Sequence, residues 1–194
     1  GCLGGVLGIQ SGRQPGCLRD DYQYWRFRMK KTWVQKMEDK PGYPKVLLLE
    51  ARFPCYNAIH KMGANEGDEI VLVNPSEVIP LMAAVPEGKV ITLREICLAL
   101  AEKYAVKGCC TLTAGIFTMT IANAVEEVKS KGDTSALSRI PWWRTLKNDG
   151  FLNDKYPGGQ ETQRERLESE GIKVIARGKR WQVADLADYL FQIE

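Results

Sequence analysis

The sequence predicts an α+β chain, mostly helical. Its organisation is that of a winged helix-turn-helix domain with a C-terminal hairpin and helix and an N-terminal extension. Three observations predict it. Apolar Ile116, Met119, Ala122 and Val125 recur with helical period across residues 112–131. Thr92-x-x-Glu95 is a capping box ahead of Ile96, Leu98, Leu100 and Tyr104. Short β-rich runs at 46–49 and 70–73 lie between Pro, Gly and Asn.

The elements follow in order. Residues 46–49 and 70–73 read as strands or extended segments. Asn74-Pro75-Ser76 is a boundary, and Ser76 is placed to cap a helix through Val78, Ile79, Leu81 and Met82, with Glu77 in its first turn. Pro86 and Gly88 end that helix. Residues 89–91 are extended, and the Thr92 helix runs on to Gly108 as its stop. The third helix covers 112–131, with Gly115 allowing close approach to another surface. Helix, short strand, helix, turn, helix is the winged helix-turn-helix order, and residues 139–156 would form its wing and pocket. Residues 162–169 form a charged helix. Residues 173–176 and 181–183 pair as a hairpin around Arg177-Gly178-Lys179. Residues 185–191 close the chain as a helix. The expected division is an extension over 1–75 and a domain over 76–194.

Composition bounds the function. A chain of 194 residues suits one domain, or a small domain with an appendage. Hydrophobic content of 44% and charged content of 26% are those of an ordinary soluble globular protein. A net charge of +3 permits a nucleic-acid partner without requiring one. No apolar run approaches the ~20 residues of a membrane helix. Cys2, Cys17, Cys55, Cys97, Cys109 and Cys110 include no C-x-x-C pair, and His60 is the single histidine, which argues against a zinc site. The cysteines read as reduced thiols of a cytoplasmic protein, with Cys97 a small buried hydrophobe and Cys109-Cys110 in a turn. His60 reads as structural. Gly1 to Ile9 lacks a basic n-region and is no signal peptide. Met29-Lys30-Lys31 looks like a natural start, so residues 1–28 read as an upstream extension or a cloning remainder. Tyr24, Trp25 and Phe27 in it are candidates to pack on the domain.

One segment stands apart: Pro141-Trp142-Trp143-Arg144, Asn148-Asp149-Gly150, Tyr156-Pro157-Gly158-Gly159 and Glu170-Gly171. Upstream of it lie Val85-Pro86-Glu87-Gly88-Lys89-Val90-Ile91-Thr92 and Ala122-Asn123-Ala124-Val125. In order and spacing these pieces resemble the O6-alkylguanine-DNA alkyltransferases, over roughly residues 76–171. The family carries Pro-Cys-His-Arg, then Tyr-x-Gly-Gly, then a helix ending in Glu-Gly. By that resemblance Trp142 stands at the alkyl-accepting cysteine, Trp143 at the activating histidine, and Glu170 at the glutamate of the same network. The DNA-rotating tyrosine falls at Leu93 and the base-displacing arginine at Asn123. The hinge asparagine has no clear match near Asp133 and Thr134, and the segment between Leu93 and Asn123 is longer here. The resemblance implies an alkyltransferase-like protein, without cofactor, that binds double-stranded DNA with alkylated guanine as a monomer. It also implies that lesions are flagged for excision-repair proteins.

Transfer to protein needs a thiolate. Indole accepts no alkyl group under mild conditions, and Trp143 shuttles no proton, so the family's reaction has no acceptor at this position. An indole can instead stack on an extrahelical base, worth ~1–3 kcal/mol per base. The candidate base pocket is therefore Trp142, Arg144, Tyr156, Gly158 and Gly159. The bland alternative is that both tryptophans fill a core, with Arg144 paired to Glu170. A strand at 142–143 would point the two indoles to opposite faces. Candidate DNA contacts are Thr118 and Asn123 on the third helix, with Lys129, Lys131, Arg139 and Lys147 beside them. The alternatives are a helix buried on most faces and a solvated charged surface. Two other function classes stay open. One is a module for RNA, a nucleotide or a protein. The other is a methyltransferase with a displaced nucleophile, Cys109 or Cys110.

Overall fold

The computed structural model describes residues 30–38 and 42–193. Expectations placed on residues 1–28, including Tyr24, Trp25 and Phe27, lie outside the described residues. The chain divides into two compact units, Gly1–Lys31 and Thr32–Glu194, and everything below concerns the second.

After a short helix, α1 (Trp33–Glu38), come β1 (Lys45–Leu48), α2 (Tyr56–His60) and β2 (Glu69–Leu72). The two strands pair antiparallel, with Leu47 opposite Ile70. Next come α3 (Pro75–Ala83), β3 (Ile91–Thr92), α4 (Leu93–Lys103), β4 (Gly108–Cys109) and α5 (Thr111–Ser130). Single 3₁₀ turns at Leu137–Arg139 and Trp142–Arg144 lead into β5 (Thr145–Leu146). The chain ends through α6 (Gly159–Ser169), β6 (Val174–Arg177), β7 (Arg180–Val183) and α7 (Leu186–Tyr189).

The Thr92 capping box forms as expected: the Thr92 hydroxyl accepts from Arg94 N–H, and Glu95 accepts from the Thr92 backbone. The 20-residue α5 is the spine of the fold. Ala114, Phe117, Ile121, Ala122 and Val125 bury one side of it against α3 and α4. α1 packs on it as well, and Glu127 accepts from Trp33 N–H at 2.6 Å.

Four expectations change. The α3 cap is Asn74, with Pro75 in the first turn, because proline suits a position whose N–H has no helical partner. The turn after α4 uses Ala105 at φ 53° rather than Gly108. Gly108 lies in β4, where an added Cβ would sit 2.7 Å from Ile59 Cγ2. The join between α4 and α5 is therefore a strand rather than a plain turn, running parallel to β2, and Cys109 is in it. Finally, the C-terminal helix is only α7, because the chain turns extended at Leu190 and bridges Val90.

The sheet β1-β2-β4 joins residues 45–72 to the middle of the chain, so segments expected in the N-terminal extension help to seat the N-terminus of α5. A separate core of Leu49, Cys55, Ile59, Ala64, Ile70 and Cys110 lies beneath it. β3 and β5 pair in parallel, which brings the Val85–Thr92 segment against the one that follows Arg144. No helix among the described residues is long and apolar enough to cross a membrane.

Candidate functional site

The motif pieces, scattered over more than eighty residues of sequence, meet at one place. Pro141 gives way to the Trp142–Arg144 turn, not to a strand. A 3₁₀ turn places successive side chains about 120° apart. The two indoles are thus neighbours rather than opposite-facing, edge to face at 5.9 Å and 85°.

Trp142 has no exposure. Its Nε1–H donates to Glu126 Oε1 at 2.8 Å, and its ring meets Tyr156 edge-on at 5.5 Å. Tyr156 is buried too, and burial pushes its hydroxyl up to about 12, with the hydrogen bonds to Thr118 and Asn153 pulling the other way. Trp143, half-buried, donates its Nε1–H to Glu170 Oε1 at 2.7 Å. The indole donates to Glu170, the partner that the resemblance gives to the family's histidine.

Glu170 is the hub. Arg144 Nε and Nη2 both donate to it at 2.9 Å, and Gly88 N–H reaches it at 3.3 Å. Arg144 Nη1 donates to the Val85 carbonyl at 2.7 Å. The Arg144 and Glu170 side chains are only 13% and 9% exposed. Burial alone would raise the Glu170 carboxyl. The Arg144 and Trp143 hydrogen bonds, the Arg144 charge and the Gly88 N–H outweigh it and hold the carboxyl below its ordinary value.

Gly158 caps α6 with φ 72°, and a Cβ there would collide with Thr162 Oγ1 at 2.0 Å. Gly159 follows at φ 68°. Both glycines are thus backbone requirements of the turn.

Of the proposed DNA contacts, Thr118 must be corrected. It is 2% exposed and its hydroxyl donates back to the Gly115 carbonyl, so it presents nothing to a groove. Asn123 donates to the Met119 carbonyl at 2.9 Å and lies 3.5 Å from that of Lys155. The cations have partners of their own: Lys129 lies 3.8 Å from Glu126, Lys131 2.6 Å from Glu127, and Lys147 2.5 Å from Asp154. Exposed Arg139 donates to the Thr134 carbonyl at 3.1 Å. Trp142 offers no open face for stacking in this conformation, because its surroundings enclose it.

Cys109 and Cys110 are buried, and Cys110 Sγ lies 3.3 Å from Cys55 Sγ. Burial, with the Cys110 contact, pushes the Cys55 thiol up to about 12, the opposite of activation. His60 stacks on Tyr56 and has Nδ1 3.1 Å from the Ala64 carbonyl, a structural setting.

Three residues that sequence reasoning missed organise the site. Gln163, fully buried, donates to the carbonyls of Trp143 and Thr145 at 2.9 and 3.0 Å and accepts from Asn153 N–H. It ties the tryptophan turn to the Tyr156 loop. Glu126 receives the Trp142 N–H and an ion pair from Arg166 at 3.1 Å. Arg166 lies over both indoles, 4.8 Å from each ring centroid. The charged 162–169 segment hid Gln163 and Arg166, although Gln163 and Leu167 share a face at i, i+4 spacing.

No protein-family model matches the sequence, and no curated protein matches it. Among solved structures, the chain is similar to S. pombe Atl1 in complex with damaged DNA containing O6-carboxymethylguanine, with 19% identity and a TM-score of 0.43. It is also similar to S. pombe ATL in complex with DNA, with 20% identity and a TM-score of 0.42. Each match covers 61% of this chain and 94% of the other.

Proposed function

We propose that this chain binds duplex DNA at an alkylated guanine and transfers nothing to itself. The observation that supports this reading is an assembled frame with no reacting group. Val85, Gly88, Trp143, Arg144 and Glu170 are bonded to one another, while an indole stands where the resemblance puts the acceptor thiol. Alkyl transfer requires a thiolate to attack carbon as the guanine oxygen leaves. The Trp142 nitrogen already donates its proton to Glu126, and its ring has no basic lone pair to offer. What remains for the site is holding a flat group. On this reading the bound protein marks the lesion for excision-repair proteins, a step that rests on the resemblance alone.

The test compares binding to one duplex with and without O6-methylguanine, with intact protein mass measured afterwards. Tighter binding to the modified duplex at unchanged mass is the expected result. Equal binding defeats lesion recognition, and a gain of one methyl defeats the non-enzymatic part.

A second reading has its own support. Leu112 and Ile116, one turn apart near the start of α5, are 50% and 45% exposed, and the cations at its far end, Lys129 and Lys131, are paired with carboxylates. That surface suits a protein partner, and binding that is insensitive to salt would favour it.

A further inference from the structure

We infer that Arg166 is a built-in occupant of the stacking position, and that an extrahelical purine is held against Trp142 and Trp143 only after displacing its guanidinium. The inference rests on the proposed reading of the site as a base pocket.

The argument begins with the two indoles. Set at 85° to one another, they form a corner with two π faces. The Arg166 guanidinium lies over both, at 4.8 Å from each centroid. A planar, delocalised cation is the side chain best suited to stack on an aromatic face. Its charge is held at the mouth of the corner by Glu126, 3.1 Å away.

Exposure gives the layering. Trp142 has none, whereas the Arg166 side chain is 31% exposed. Arg166 is therefore the outer layer over the inner indole, and its departure opens that face. A partly exposed ion pair is weakly held. Lys129, 3.8 Å from Glu126 and 5.5 Å from the Trp143 ring, stays behind to keep the carboxylate paired. A guanine whose pairing is weakened by alkylation leaves the duplex at lower cost, so it competes for the corner better than an intact base.

The experiment uses protein labelled with 5-fluorotryptophan. The fluorine resonances of Trp142 and Trp143 are assigned by single replacement with Phe. Two variants, Arg166→Ala and Arg166→Gln, guard against a folding artefact, and their thermal midpoints are compared with wild type. The first probe is the free nucleoside O6-methyl-2′-deoxyguanosine. Both variants are expected to show perturbed Trp142 and Trp143 resonances when free. They are also expected to respond to the nucleoside at a concentration at least about threefold lower than wild type needs. An equal response in wild type and variants, or no response in any, overturns the inference. The second probe is the damaged duplex. Uniformly weaker binding by both variants to damaged and intact duplex would make Arg166 a phosphate contact and overturn it as well. If the nucleoside result holds while no form binds duplex, the DNA reading fails and the displaceable arginine stands.

Discussion

Trp142 and Trp143 are consecutive residues in different environments. Trp142 is enclosed by Glu126, Tyr156, Trp143 and Arg166, so truncation leaves a cavity and removes one donor from Glu126, which keeps its ion pairs with Arg166 and Lys129. Trp142→Ala is expected to lower unfolding free energy by about 3–5 kcal/mol, measured by denaturant titration; a loss below about 1 kcal/mol would contradict the packing described. Trp142→Cys is expected to gain no methyl from O6-methylguanine duplex by intact mass. The new thiol would have an indole beside it in place of an imidazole, and would keep a pKa near or above the usual ~8.5. Glu170 sets the acid limit of the site. Its carboxyl is held below the ordinary value, so its contribution to stability is fully present above that value and is lost as pH falls through the depressed one. Glu170→Gln is therefore expected to flatten the acid limb of the stability–pH curve while changing little in its shape near neutrality. An unchanged acid limb would show that the Arg144 pair is energetically idle. Of this residue-level picture, the Arg144–Glu170 pair was legible, because both residues belong to the motif. The Trp142–Glu126 bond was not, because Glu126 lies one helical turn beyond Ala122 in a segment read for DNA contact.

The elements were more legible than their joints. Periodicity located α5 to within a residue at each end, since a 20-residue amphipathic pattern averages over local accidents. The Thr92 capping box fixed the start of α4 because the cap is a local, reciprocal hydrogen-bond arrangement. Joints depend on tertiary partners, and there the reading failed. Residue type alone makes Gly108 a helix stop, but its role is close packing of β4 on Ile59. Strand geometry at 142–143 would have pointed the two indoles to opposite faces, but the parallel β3–β5 pairing begins only at Thr145. Gly158→Ala tests the joint before α6. The residue has φ 72°, and the Cβ would strike Thr162, so the substitution combines a backbone cost of roughly 1 kcal/mol with a collision that must be relieved. The expected result is a lower midpoint than that of Gly159→Ala, whose Cβ meets only Asp154 O at 3.9 Å. Equal midpoints would mean that the Thr162 side chain swings away freely.

At the scale of the whole molecule, electrostatics decides between a DNA partner and a protein partner. The net charge of +3 is small, and Lys129, Lys131 and Lys147 each have a carboxylate partner. Exposed pairs of this kind are worth only ~0–1 kcal/mol, so a phosphate can recruit the cation from its partner at little cost. Each phosphate so neutralised adds about −0.9 to the slope of log affinity against log salt. If Lys129, Lys131, Arg139 and Lys147 all engage, the expected slope is on the order of −3 to −4. Replacing Lys147 with Glu should then reduce the slope by about one and weaken modified and intact duplexes alike. Trp143→Phe should act differently. It keeps a flat ring but removes the N–H to Glu170, so it should change the preference for the modified duplex and leave the slope as it was. Anisotropy titrations at four salt concentrations separate the two effects. A slope near zero would show that none of these cations engages a phosphate and would overturn the DNA reading.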